Sequence, residues 1–409
     1  MRQRSLIAIT AALSAGALTL TACGSRDSGG DKGSDSGGTV VTIGVDAPLT
    51  GDLSALGLGI KNSVDLAAKT ANKQKYVDGV TFKIEALDDQ AQPSSGQQNA
   101  TKLVANKSVL GVVGPLNSSV AESMQKVFDD AKLVEVSPAN TNPALTQGTD
   151  WATSKKRVYK SYFRTATTDA IQGPFAAQYL VNDAKKKKVF VIDDKKTYGA
   201  GLAGTFTEEF KKLGGTVAGT EHINPDSKDF SAIATKVKNS GADVVYYGGE
   251  YPQAGPLSKQ IKAAGAKIPV VGGDGIYSAD FIKLAGATAA GDLATSVGAP
   301  VEELASAKEF VANYKNGGYK EAYEAYGGYS YDSAWAIIEA VKKVVDDNGG
   351  KLPDDARAKV TEAMQNVSFD GVTGKVSFDE FGDATNKQLT VYAVENGNWK
   401  AVKSGTYSG

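Results

Sequence analysis

Short runs of β-branched and aromatic residues alternate with longer stretches of helical periodicity from Thr39 onward. The runs that predict strands are VVTIGVD, TFKIEALDD, VLGVVG, LVEVS, VYKSYFRTA, KVFVIDD, DVVYYGG and PVVGGD. Between them, apolar residues recur at helical spacing, as at Ile60, Val64, Ala67 and Ala71, which predicts amphipathic helices. Strands that alternate with helices form parallel sheets covered on both faces, so the pattern predicts an α/β fold.

The start of the chain follows a different pattern. The basic MRQR precedes a 16-residue apolar and small-residue run, and LTAC ends that run at Cys23. This arrangement resembles the lipid-attachment motif of bacterial lipoproteins, so we predict a signal peptide at 1–22 and lipidation of Cys23. Residues 23–38, rich in Gly, Ser and charge, are expected to form a flexible linker. The alternatives are a buried Cys or a membrane anchor, for which the run is short.

Composition excludes several classes of function. The 409 residues suggest two domains, and 45 basic against 46 acidic residues leave no electrostatic footprint for nucleic acid. With one His, His222, and one Cys, the chain has no His-based catalytic triad, no His/Cys zinc site and no internal disulfide. Neither a Walker loop nor a dinucleotide-binding GxGxxG follows a strand. We therefore predict no cofactor and no metal, although an enzyme that uses only carboxylates remains possible.

Two uncharged polar loops follow predicted strands, and ligands of open α/β sheets bind at the carboxyl ends of strands. In VVGPLNSS, Asn117 and Ser118 stand where a helix begins, and its unpaired amides and positive dipole end suit a carboxylate or phosphate. The alternative is that these side chains only cap the helix. In SPANTNPALT, Asn140 and Thr141 lie at the mouth of the sheet before an Asn-Pro helix start. Together the loops resemble opposing walls for a small polar ligand.

Aromatic residues cluster in YEAYGGYSYDSAW, near another predicted helix start. Tyr326, Tyr329, Tyr331 and Trp335 lie close together in this stretch, and large rings near a helix start are well suited to packing against neighbouring helices. We predict a packing role for them rather than ligand stacking.

Six separated blocks of sequence resemble the leucine/isoleucine/valine-binding periplasmic proteins, which are substrate-binding components of ABC importers for amino acids. The blocks are GPLNSS, SPANTNPALTQG, TTDAIQGPFAAQYL, IDDKKTYGAGLA, KDFSAIATKVKNSGADVVYYGGEYPQAG and VTGKVSFDEFGD. The resemblance implies the type I periplasmic-binding fold, with two α/β lobes joined by three crossing segments and a ligand in the cleft between them. It places one lobe at 39–165 plus 296–370 and the other at 166–295 plus 371–409.

The resemblance also implies the residues of the cleft. Ser118 and Thr141 match residues that hold an α-carboxylate, and Asp274 stands where the family has a Glu that takes the α-ammonium. Asn140 would offer its carbonyl oxygen to that ammonium. Tyr198 matches a cleft tyrosine of the second lobe, and Asp169 lies near the site beside a crossing segment.

Three positions depart from the family pattern. The best-known members carry a Trp near Leu56, a Cys at Asn117 and a Tyr at Glu250. If Glu250 faces the cleft, its charge suits a polar or cationic ligand side chain; the alternative is a solvated carboxylate at the edge of the lobe. The three positions are expected to set ligand preference.

The resulting hypothesis is a monomeric, lipid-anchored extracytoplasmic binding protein. It would capture a small amino acid, of the branched-chain type, and deliver it to the permease subunits of an ABC importer without chemistry of its own. Two alternatives stay open: a ligand-sensing module of the same fold that acts on a membrane regulator, and a cell-envelope enzyme that uses paired carboxylates.

Overall fold

The structure, a computed structural model, describes residues 38–407, so the predicted signal peptide and Cys23 lie outside the described residues. A first sheet of five parallel strands has the spatial order β2-β1-β3-β4-β5. In chain order its strands are β1 (Thr39–Ala47), β2 (Val80–Asp88), β3 (Val109–Val113), β4 (Val134–Ser137) and β5 (Tyr162–Arg164).

Helices cover both faces of this sheet, and we call the sheet with its helices the first lobe. They are α1 (Ser54–Gln74), α2 (Pro93–Ala105), α3 (Ser118–Asp130), α4 (Ala144–Gln147) and, later in the chain, α10 (Lys308–Asn316), α11 (Gly327–Asp347) and α12 (Ala356–Met364). Strand β3 shows why the apolar runs are continuous. Val112 packs with Leu103 and Val120 on one face, while Val113 belongs to the cluster that contains Ile337 on the other.

A second sheet of seven strands has the order β14-β13-β10-β9-β8-β6-β7, in which β13 is antiparallel to both of its neighbours, β10 and β14, and the other neighbouring pairs are parallel. Its strands are β6 (Lys188–Asp193), β7 (Thr216–His222), β8 (Val244–Gly248), β9 (Val270–Gly272), β10 (Leu293–Ser296), β13 (Gln388–Glu395) and β14 (Asn398–Thr406). A separate antiparallel hairpin comprises β11 (Ser368–Gly371) and β12 (Gly374–Ser377).

The second sheet and its helices form the second lobe. The helices are α5 (Asp169–Gln178), α6 (Thr197–Lys212), α7 (Ser231–Ser240), α8 (Tyr251–Ala263) and α9 (Ala279–Ala285). Strand β8 is buried on both faces in the same way as β3. Tyr246 stacks on Phe206 of α6, with ring centroids 3.6 Å apart, while Tyr247 lies in the cluster that contains Leu257 of α8.

The chain passes between the two sheets three times: after β5, after β10 and before β13. It enters the second sheet for the last time only at Gln388, later than the crossing predicted near Gly371. The residues that follow Gly371 still contact the first lobe, because the Asp332 carboxylate of α11 accepts hydrogen bonds from the amides of Val372 and Thr373. The chain therefore stays on the first lobe through the hairpin of β11 and β12 before it crosses to the second sheet.

All eight sequence runs predicted as strands contain one, and the predicted α/β fold of two lobes is confirmed. Four strands of the second sheet were not predicted: β7, β10, β13 and β14. Exposure explains two of these omissions, because β7 and β14 lie at the sheet edges and most of their residues contact solvent. Such strands lack the apolar run that marks a central strand.

A buried ion pair joins the end of β5 to the segment that returns toward β13. Arg164 is fully buried, and its Nε donates to Asp383 Oδ1 at 2.6 Å. Its Nη1 donates to the main-chain oxygens of Asn140 and Asn142, both at 2.9 Å. The guanidinium therefore holds the loop after β4 in place while its charge is matched by Asp383.

Replacing Asp383 with Asn should destabilise the protein strongly, because it leaves a buried guanidinium without its counterion. We expect a loss of about 3 to 5 kcal/mol in the free energy of unfolding, measured by urea denaturation. Burial would raise the pKa of Asp383, but Arg164 and hydrogen bonds from Gln147 and Thr146 hold it below its ordinary value. The stabilisation should therefore be present above about pH 4 and be lost as the pH falls through that lowered pKa.

The matched control is Asp130→Asn, which breaks the exposed pair between Lys126 and Asp130. That substitution should cost less than about 1 kcal/mol. Equal losses for the two variants would contradict the role assigned to the buried pair.

Candidate functional site

The first wall of the candidate site is the segment between β3 and α3. Gly114 has φ of +127°, and a Cβ there would lie 2.0 Å from the carbonyl oxygen of Asp46, so only glycine fits. Asn117 occupies the N-cap position of α3, but its side chain makes no capping hydrogen bond. Ser118 Oγ is buried and has no hydrogen-bond partner in the described structure. The capping alternative therefore does not account for either side chain, and the first amides of α3 stay available to a ligand.

The loop after β4 lies beside this segment. Asn140 is occupied by the loop itself: its Nδ2 donates to the carbonyl of Leu116 at 2.8 Å and its Oδ1 accepts from Tyr162 at 2.9 Å. Its main-chain oxygen, which we expected to face an ammonium, accepts a hydrogen bond from Arg164. The Asn140 side chain thus joins the two polar loops to each other.

The second lobe contributes a fully buried carboxylate, Asp274, from the short 3₁₀ turn after β9. Tyr198 of α6 donates to its Oδ1 at 2.8 Å, and Gln172 of α5 donates to the same oxygen at 3.0 Å. Tyr326 reaches from the first lobe and donates to its Oδ2 at 2.9 Å. Burial raises the pKa of Asp274 even though these three donors oppose the shift. A cation placed beside it would relieve the cost of burying the charge.

A second buried carboxylate, Asp169, shares a donor with Asp274. Gln172 Nε2 donates to Asp169 Oδ1 at 2.9 Å as well as to Asp274, and Thr141 Oγ1 donates to Asp169 Oδ2 at 3.0 Å. Burial, together with the charge of Asp274, raises the pKa of Asp169 to about 8. At neutral pH the carboxyl group of Asp169 is therefore mostly protonated.

Glu250 belongs to the cleft and is not a solvated carboxylate at the lobe edge. Its side chain is buried, it receives a hydrogen bond of 2.5 Å from Asn117 Nδ2 in the first lobe, and Lys196 Nζ lies 2.8 Å from its other oxygen. Burial lowers the pKa of Lys196, but the attraction of Glu250 outweighs burial and leaves the pKa raised. The negative charge of Glu250 is therefore matched within the protein.

These residues enclose one small cavity between the lobes. The first lobe lines it with Leu56, Leu116, Asn117, Ser118, Ala139 and Tyr326, and the second lobe with Tyr198, Glu250, Asp274 and Gly275. The cavity is therefore suited to a small ligand with charged or polar groups at some positions and an apolar part at others.

Six of the nine predicted ligand-binding residues line this cavity: Leu56, Asn117, Ser118, Tyr198, Glu250 and Asp274. The other three, Asn140, Thr141 and Asp169, lie behind it in the hydrogen-bond network. Sequence reasoning missed Gln172 and assigned Tyr326 to packing, whereas Tyr326 both lines the cavity and bonds to Asp274. The position of Tyr326 as the residue just before α11 was the available signal.

A larger space lies elsewhere between the lobes, and its lining includes the aromatic residues Tyr277, Tyr323, Tyr392 and Trp399. None of the nine predicted residues lines it. The smaller cavity is lined by two buried side-chain oxygens that have no hydrogen-bond partner in the described structure, Asn117 Oδ1 and Ser118 Oγ. The larger space has no such atom among its lining residues. The smaller cavity is therefore the better candidate for the functional site.

Two further properties concern residues 38–407. No group of three or more His, Cys, Asp or Glu side chains in this part of the chain is arranged to hold a metal ion. Each helix within the same range is too short or too polar to cross a bilayer.

Comparison with known proteins agrees with this geometry. The family model described as periplasmic binding protein matches residues 40–398. Leu/Ile/Val-binding protein homolog 1 of Brucella abortus (strain 2308) is 33% identical over 358 residues, which cover 87% of this chain and 91% of the relative. The chain belongs to the leucine/isoleucine/valine-binding family of periplasmic binding proteins. Members of this family bind solutes and are not enzymes.

Other relatives of this periplasmic binding protein are similar over nearly their whole length. Leu/Ile/Val-binding protein BraC3 of Rhizobium johnstonii is 31% identical, with 87% of this chain and 92% of the relative covered. The leucine-binding protein LivK of Thermotoga maritima has a TM-score of 0.78 at 26% identity and covers 89% of this chain and 98% of its own. LivJ of Streptococcus pneumoniae, solved with isoleucine, gives 0.79 at 25% identity, with 90% and 99% covered.

The raised pKa of Asp169 predicts how the stability of the ligand-free protein depends on pH. Because its pKa is about 8 in the folded protein and about 4 when unfolded, its contribution is full below pH 4 and is lost as the pH rises to 8. Replacing Asp169 with Asn removes this titration. The melting temperature of the variant relative to wild type should therefore be higher at pH 8 than at pH 5.

Differential scanning fluorimetry at the two pH values measures this difference. The control is Asp347→Asn, which changes an exposed carboxylate paired with Lys343 and should respond alike at both pH values. A pH-independent effect of Asp169→Asn would contradict the assigned protonation.

Proposed function

We propose that this chain is the extracytoplasmic solute-binding protein of an ABC importer and that it binds a small amino acid, of the branched-chain type, in the cavity between its lobes. The observation that carries the proposal is the position of two groups on opposite walls of one small cavity. Asp274 is a buried acid on one wall, and Ser118 on the other has a hydroxyl without a hydrogen-bond partner in the described structure. The relatives named Leu/Ile/Val-binding protein and the isoleucine-bound LivJ support the ligand class.

The α-carboxylate of the ligand would bind at the start of α3. Ser118 offers a hydroxyl without a partner, and it lies at the N-terminal end of α3, where the helix dipole favours a negative charge. Thr141, which we expected to contact the carboxylate, donates instead to Asp169 and would support the site from behind.

The α-ammonium would bind beside Asp274. Tyr198, Gln172 and Tyr326 hold that carboxylate in place, so a ligand cation would meet an acceptor whose orientation is already fixed. Asp169 would keep its proton, which limits repulsion between the two acids. The remaining volume, bounded by Leu56, Leu116 and Ala139, would hold the side chain.

Capture would involve closure of the two lobes about the crossing segments. Several hydrogen bonds join the lobes around the cavity in addition to that between Tyr326 and Asp274. Asn142 Nδ2 donates to the carbonyl of Thr197 at 2.8 Å, and Thr197 Oγ1 donates to Glu122 at 2.9 Å. These contacts would form on closure and exclude water from the charged groups of the ligand, which strengthens their pairing.

We further propose that the protein acts as a monomer, held to the membrane by a lipid on Cys23 and a linker up to residue 38. The signal-like start of the chain supports this part of the proposal. The lobes would comprise 39–165 plus 296–387, and 166–295 plus the strands from Gln388 onward.

Replacing Asp274 with Asn should weaken amino-acid binding by roughly two to four powers of ten, because the ligand ammonium loses a buried charged partner worth about 3 to 5 kcal/mol. Isothermal titration calorimetry with leucine, isoleucine and valine measures the loss. A thermal-shift assay provides a second readout, since ligand at 100 times its dissociation constant stabilises the wild type by about 2.7 kcal/mol.

The exchange of Asp for Asn keeps the shape of the side chain, so the variant should fold. Its melting temperature without ligand checks this. Asp130→Asn, far from the cavity lining, serves as the control and should bind as wild type does. Unchanged affinity in Asp274→Asn would exclude Asp274 as the ammonium partner, and failure of every amino acid to bind the wild type would reject the ligand class.

A further inference from the structure

The side chain of Asn117 is held by a chain of polar contacts across the cleft. Its Nδ2 donates to Glu250 Oε1, and the other carboxylate oxygen of Glu250 pairs with Lys196 at 2.8 Å. Asn117 and Glu250 are each only 5% exposed, so both lie inside the closed cleft. Because Asn117 does not cap α3, these contacts and the cavity are the only surroundings that account for its polarity in the described structure.

This arrangement leaves Asn117 only one favourable orientation of its amide. A carboxylate oxygen can only accept, so the amide must turn its NH₂ group toward Glu250. The reversed amide would place its carbonyl oxygen against the carboxylate, with two acceptors facing each other. The Asn117 Oδ1 atom is therefore directed away from Glu250, and it has no hydrogen-bond partner in the described structure although it is buried and its residue lines the cavity.

We propose that Asn117 is a specificity-determining residue that accepts a hydrogen bond from a neutral donor group in the ligand's side chain. The inference rests on the proposed function, and it refines the ligand class from branched-chain amino acids to branched amino acids of similar shape that carry a hydroxyl or amide. The apolar walls formed by Leu56, Leu116 and Ala139 limit the size and favour a short branched shape. The carbonyl of Asn117 then distinguishes ligands of equal shape by whether they donate.

The ion pair also explains why a neutral donor is favoured over a cation. A cationic side chain would be attracted mainly by Glu250, but Lys196 already neutralises that carboxylate and would repel a second positive charge. An amide carbonyl, in contrast, needs only a partial positive charge on a hydrogen. In this arrangement Lys196 and Glu250 are positioning residues, because they fix the direction of the Asn117 carbonyl and need not contact the ligand.

Two pairs of isosteric amino acids test this directly. Threonine differs from valine by one hydroxyl in place of a methyl, and asparagine differs from leucine by an amide in place of two methyl groups. Calorimetric titration of the purified chain, with Cys23→Ser to prevent lipid attachment, gives these four dissociation constants and those of lysine and arginine. We expect the donor-bearing member of at least one pair to bind roughly tenfold to a hundredfold more tightly than its apolar isostere.

Three variants connect that preference to the proposed residues. Asn117→Leu keeps the volume but removes the acceptor, so the preference should reverse in favour of valine and leucine. Glu250→Gln allows the Asn117 amide to turn over, so the ratio of the dissociation constants within each isosteric pair should fall toward one. The control Asn313→Leu, in α10 and outside the cavity, should leave all ratios unchanged.

The outcomes separate this inference from the proposed function. If leucine and valine bind and neither threonine nor asparagine binds more tightly, the inference is overturned and the proposed function stands. Tightest binding of lysine or arginine would overturn it as well, because the charge of Glu250 would then dominate. If no amino acid binds, the proposed function fails. The wild-type ratios decide the question even if Asn117→Leu does not fold.

Discussion

The burial of one guanidinium determines the geometry of the cleft. Arg164 lies at the end of β5, where the first sheet gives way to the crossing into the second lobe, and its donors fix the main chain of Asn140 and Asn142. Asn140 in turn holds the segment before α3 through the carbonyl of Leu116. A fully buried charge is costly unless it is hydrogen-bonded, so the partners of the Arg164 guanidinium are held in fixed positions. These hydrogen bonds give a defined shape to the loop after β4 and, through Asn140, to the segment before α3.

Some polar groups of the cleft already form hydrogen bonds within the protein, and others have an oxygen without a partner in the described structure. The Asp274 carboxylate has three donors within the protein, which hold it in one orientation, yet burial still raises its pKa. Ser118 and Asn117, on the facing wall, keep an unpaired oxygen each. Orienting a charge through its neighbours while leaving nearby acceptors and donors free is the arrangement expected of a site that binds reversibly.

The sequence predicted most of the central strands, the polar loops and most of the cavity lining, because each leaves a local trace: an apolar run, a helix start or a family motif. It missed β10 and β13, which are interior strands of the second sheet. It did not predict Gln172, whose role depends on the distance between two acids far apart in the chain. It also could not decide between a cleft and an exposed edge for Glu250, since the answer depends on Asn117 and Lys196 being brought to it by two different lobes. Edge strands such as β14 were missed because solvent replaces the apolar pattern.

The unpaired oxygens of Ser118 and Asn117 also affect how often ligand-free protein would bind to the transporter. Closing the lobes without a ligand would bury both atoms unpaired, at a cost of about 2 kcal/mol or more, which disfavours that form at least roughly thirtyfold. A transporter that binds only the closed form would then seldom be occupied by binding protein without ligand. The same two atoms that recognise the solute would thereby also keep unloaded copies from competing for the import machinery.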